Sequence, residues 1–140
     1  MNKKIIYGGL IGGIFAFFFG WLLFGILLME PMLNLSTESM KNAMLPEDQM
    51  NIVLMLLSNL IWGFFTAYVL VSLAKVEGWM AGAKISATLA FMIVLAYDLS
   101  FHSMTSLFTM NGILLDVVSN VIMGGTVGAV VGLVISKVKD

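Results

Sequence analysis

The 140-residue chain is 60 % hydrophobic and only 11 % charged, where soluble domains carry about 25 % charge. So few charges cannot cover a water-facing surface, and hydrocarbon is the expected solvent for most of this single domain. The net charge of −1, with seven lysines and no arginine, leaves no basic stripe for nucleic acid, and the lack of cysteine removes disulfides, thiolate metal sites and cysteine nucleophiles.

The first apolar stretch covers residues 5–29 and follows Lys3 and Lys4. Its core is longer than a signal-peptide core, and Met29-Glu30-Pro31 offers no small-residue cleavage pattern, so it is expected to remain as a span. Gly8, Gly12, Ala16 and Gly20 recur every fourth residue and share one helix face. Gly8-Gly9-x-x-Gly12-Gly13 is not a phosphate loop, because it lies inside a hydrophobic span and lacks the Lys-Ser/Thr ending.

Residues 30–49 form a polar outer loop. Leu33, Met40 and Met44 fall at helical spacing within it and predict a short helix lying at the membrane surface. Pro46 suits the first position of the following helix, with Glu47 and Asp48 near its positive end.

The second span, 50–74, carries Ser58, Asn59, Gly63 and Ala67. A short turn with Lys75 leads to the third span, 79–99, where Gly78, Gly82, Ser86 and Ala90 keep the four-residue spacing. Asp98 ends that span. An outer link to Asn111 contains His102 and apolar residues that hug the interface. The fourth span, 112–136, holds Asp116, Ser119 and Asn120 directly above a Gly124-Gly128-Gly132 row. Each span meets the roughly 20 residues needed to cross hydrocarbon. None has the polarity alternation of a barrel strand. The expected fold is an all-α four-helix transmembrane bundle whose small-residue faces let backbones approach closely. The methionines, mostly in or beside the spans, read as apolar filler.

Lysine placement predicts orientation. If the spans alternate, Lys3, Lys4, Lys75, Lys84, Lys137 and Lys139 share one side and Lys41 alone takes the other. The positive-inside rule then puts both termini in the cytoplasm and the chain in the inner, plasma membrane. Glu30, Glu38, Glu47, Asp48 and Asp98 fall outside.

Gly12-Gly13-Ile14-Phe15-Ala16-Phe17-Phe18-Phe19-Gly20-Trp21-Leu22-Leu23-Phe24-Gly25, with the step Gly78-Trp79-x-x-Gly82, resembles a family of small four-span bacterial inner-membrane proteins of unknown function. The resemblance covers mainly the first span. It implies the four-helix architecture and supplies no activity or site residues.

Ionisable groups at membrane depth are expensive and mark candidate sites. Asn59, Asp98, His102, Asp116 and Asn120 all fall in the outer half and form the expected polar pocket. Their functional reading is a pocket that exchanges protons or holds a cation. Their structural reading is hydrogen bonding between helices by Asn59, Asp116 and Asn120, with Asp98 and His102 at a wet interface. One histidine and no cysteine cannot build a triad or a common zinc site, and no catalytic motif is present. No metal, cofactor or enzymatic activity is expected. The leading expectation is a non-enzymatic component that packs against itself or a membrane-protein partner through Gly8, Gly12, Gly20, Gly63, Gly82, Gly124, Gly128 and Gly132. The alternative is a small oligomeric transporter or channel with an outward-facing polar pocket. An intramembrane enzyme is the third class.

Overall fold

A computed structural model describes residues 2–139. The chain is all-helical, in the order α1 (Lys3–Leu22, continued by a π-turn, Leu23–Leu27), α2 (Met29–Asn34), α3 (Glu38–Ala43), a 3-10 turn (Glu47–Gln49), α4 (Ile52–Tyr68, continued by a π-turn, Val69–Leu73), α5 (Trp79–Met104) and α6 (Met110–Lys137). Four of these segments, Lys3–Leu27, Ile52–Leu73, Trp79–Met104 and Met110–Lys137, are long and apolar enough to span a membrane.

Local chemistry sets the helix starts. The side chains of Asn2, Asn51 and Thr109 accept hydrogen bonds from the Lys4, Leu54 and Gly112 amides at 2.8, 3.1 and 3.0 Å, satisfying N–H groups that a first turn leaves open. Asn51, rather than Pro46, therefore opens α4. Pro46 instead precedes the 3-10 turn, with an extended ψ of 152°. The α4–α5 turn needs unusual backbone at two residues, Lys75 at φ 54° and Gly78 at φ 98°. Only glycine takes the second value readily. Gly78 N–H also donates to the Gly132 carbonyl at 3.1 Å, pinning this turn onto α6. At the same end, Lys4 Nζ meets Glu77 Oε1 at 2.6 Å.

Helix α6 is the centre of the bundle. It packs against α5 along one face and α1 along another, α1 packs against α4, and α4 barely meets α5. In its most apolar stretch 44 % of residues are buried, against 17–22 % in the other three spans. The core is a small apolar cluster that includes Ala16, Leu70, Val127, Val131 and Ile135.

Backbone contact explains why the central interfaces are so close. A Cβ built on Gly82 would strike the Gly128 carbonyl oxygen, and one on Gly128 the Gly82 oxygen. The same holds for Gly132 against the Gly78 oxygen and for Gly63 against the backbone of Gly9 and Gly13. Gly124 meets Ala90, Gly12 meets Val131, and Gly8 meets Ile135, Ala67 and Val131. Gly20 differs: the nearest neighbour of a Cβ there is the end of the Met123 side chain, at 3.2 Å. These glycine rows face other helices of the same chain.

Replacing Gly82 by Leu should cost at least about 2 kcal/mol, because backbone cannot move aside as a side chain can. Gly20→Ala should stay within about 1 kcal/mol of wild type. Unfolding midpoints in detergent, measured by circular dichroism, check both. Equal stability of the two variants would contradict the packing described.

Candidate functional site

The polar residues gather at the end of the bundle opposite the lysine-rich turn, here called the distal end. There α5 runs on to Met104, so Asp98 and His102 lie on the helix rather than in a link, and the α5–α6 connection shrinks to residues 105–109. Beyond Gly82 no proline or glycine occurs in α5 to stop it earlier.

The long loop between α1 and α4 folds back as a cap over the distal end. Thr37 Oγ1 donates to the Leu107 carbonyl at 2.9 Å, and Thr109 Oγ1 donates to the Leu35 carbonyl at 2.5 Å. Ser36 and Phe108 pair as an antiparallel bridge. These bonds stitch α2 and α3 to the α5–α6 connection. Leu33 and Met40 consequently turn inward and, with Ser36, roof a cavity of about 270 Å³ whose floor includes Thr109 and Asp116.

A larger groove, about 830 Å³, opens between the distal halves of the four long helices. Its walls include Trp21 and Phe24 from α1, Asn59 and Trp62 from α4, Ile93 from α5 and Asn120 from α6. The groove exists because α4 packs along α1 and barely meets α5. Its distal turns, Ile52 to Leu57, are exposed on every side. Phe24, Met29 and Met44 line both cavities and stand between them.

The structure divides the expected polar pocket. Asn59 and Asn120 share the groove. Each also donates to its own helix, Asn59 Nδ2 to the Met55 carbonyl at 2.8 Å and Asn120 Nδ2 to the Asp116 carbonyl at 2.9 Å. Neither therefore serves as the inter-helix clamp expected of it. Asp98 is 3 % exposed and sits in the α5–α6 interface. Its carboxyl faces that of Asp116, and the Asn120 amide adjoins Asp116 from the groove side. No donor group reaches Asp98 Oδ2, one of two enclosed side-chain atoms without a hydrogen-bond partner among the described residues. The other is Ser86 Oγ, packed against Gly128.

His102 joins neither cavity. Its Nδ1 lies 3.0 Å from the Phe108 carbonyl. A carbonyl only accepts, so Nδ1 carries the proton and the ring closes the α5–α6 connection. Among the described residues, no three histidine or carboxylate side chains converge as a metal site would require.

The aromatic wall of the groove was not foreseeable from the sequence. Tryptophan and phenylalanine in an apolar span read alike whether they face lipid, core or cavity. The cap had a weak signal, since Thr37 and Thr109 each stand where a helix cap belongs.

These features define an all-helical membrane protein with a capped distal end and an adjoining open groove. The chain matches no family model, no curated protein and no solved structure.

Proposed function

We propose that this chain is a non-enzymatic component of the inner, plasma membrane that binds an amphipathic small molecule in its distal groove. The groove itself carries the reading. Its volume of about 830 Å³ lies in the range of roughly 300–1,000 Å³ usual for ligand pockets. Aromatic and aliphatic walls suit an apolar body, and the amides of Asn59 and Asn120 suit one polar end. Exposed α4 turns on one flank leave the groove open to molecules dissolved in the bilayer.

We assign both termini to the cytoplasmic side, with the groove and cap facing outward. The six lysines gathered at one end support this. The glycine rows are filled by the chain's own helices. We therefore place any contact with a second copy or a membrane partner on exposed apolar faces, such as the α1 stripe Leu10, Ile14 and Phe18. Since the protein lacks cysteine, orientation can be read directly: in intact cells Ser39→Cys should react with a membrane-impermeant maleimide, while Lys139→Cys should react only after lysis. The reverse pattern refutes the assignment.

Groove occupancy is tested by photolabelling in nanodiscs with a neutral decyl-chain alcohol carrying a diazirine. Labelling of Trp21, Asn59 and Trp62 should exceed that of the lipid-facing Leu10 and Ile14 several-fold. Ile93→Trp, which fills the groove from an exposed position, should remove the excess. Labelling that merely follows exposure to lipid, unchanged in Ile93→Trp, overturns the reading.

A second reading, passage of a proton or small cation through an oligomer, is favoured by the two carboxyls of Asp98 and Asp116 inside spans. On that reading Asp116→Asn abolishes flux in proteoliposomes while leaving the fold intact. Wild-type protein that moves neither protons, sodium nor potassium eliminates it.

A further inference from the structure

We infer that Asp98 and Asp116 form a proton-binding site in which one proton is shared between two carboxyls across the α5–α6 interface. The site is independent of what occupies the groove.

The argument starts from the enclosed Asp98 oxygen that no donor reaches. An enclosed carboxylate normally receives hydrogen bonds or a counter-charge, and the donors of the cap and of the next turn of α5 are engaged elsewhere. Ser36 Oγ donates to the Met32 carbonyl at 2.7 Å and Thr109 Oγ1 to the Leu35 carbonyl. His102, one turn beyond Asp98, directs Nδ1 to the Phe108 carbonyl. Six lysines lie at the opposite end of the bundle, and Lys41 pairs with Glu38 at 3.0 Å in the cap. From α1 the neighbouring cavity receives Phe24, which cannot donate.

What remains opposite Asp98 is the Asp116 carboxyl. Two ionised carboxylates are acceptors only, so contact between them requires a proton on the pair. Two protons would pair the carboxyls as a neutral dimer, each hydroxyl donating to the other carboxyl, but the Asn120 amide beside Asp116 favours the singly protonated pair because it donates to an ionised Asp116. One proton lets the protonated partner donate and the ionised partner accept, and like charges held this close cannot both be ionised. Asp116 lines the cavity beneath the cap, which gives the proton a route to and from the distal side. On its other flank the Asn120 amide links Asp116 to the groove.

Infrared spectroscopy of the protein in nanodiscs tests this at neutral pH. Wild type should show one protonated-carboxyl C=O stretch that shifts in heavy water. Asp98→Asn and Asp116→Asn should each lose it, because the new amide donates to the remaining carboxylate. A wild-type spectrum without the band, or with the intensity of two protonated carboxyls, overturns the inference. So does a band that survives in both variants, which would mean each group is protonated by itself. A band removed by sodium or calcium chloride also overturns it, since a cation then fills the place of the proton. Should a variant fail to fold, the wild-type band and its salt response still decide.

Discussion

Close backbone contact between α5 and α6 is the constraint from which the rest of the architecture follows. Gly82 and Gly128 leave no room for a side chain between the two helices, and Gly132 brings the Gly78 turn against α6 in the same way. In hydrocarbon there is no water to expel from between helices, so association must come from packing and hydrogen bonding. Glycine lets the backbones touch where larger residues would hold them apart. A second close contact, Gly63 against Gly9 and Gly13, joins α4 to α1. The bundle is thus two tight pairs joined where α1 meets α6. The loosely packed side, between α4 and α5, is left as the groove.

The same contact gives the carboxyl pair its enclosure. Asp98 and Asp116 stand on α5 and α6 near the distal end of this interface, where side chains on facing helices are forced together. Burial removes water from Asp98, and the small-residue packing supplies no donor in its place. An isolated charge there would cost several kcal/mol, and the facing Asp116 carboxyl is placed to relieve that cost by donating a hydrogen bond when it carries a proton. Ser86 shares this problem, whereas Asn59, Ser119 and Thr126 avoid it by bonding back to their own helix.

The cap works by different chemistry. Its helices are each only six residues long, too short to hold their shape alone. Thr37 and Thr109 are therefore central, since each hydroxyl donates across to the opposite connection while also capping its own helix start. That double use turns two flexible links into one lid over the distal ends of α1 and α6, with Asp116 in the cavity beneath.

Much of this fold was legible in the residues alone. Four runs of apolar side chains, each long enough for hydrocarbon, dictate four long helices, and four-residue glycine spacing identifies the faces that can approach closely. Those properties belong to a helix by itself, so local sequence decides them. Which face meets which, and whether a glycine row closes within the chain or stays open, depends on neighbours distant in sequence. Only the tertiary structure decided that α4 and α5 stay apart, that Asp98 lies on a continuing helix facing Asp116, and that Asn59 and Asn120 border a groove while His102 does not. The physical reason is that helix packing in lipid selects among several similar apolar faces by shape alone, and shape is a property of the assembled helices.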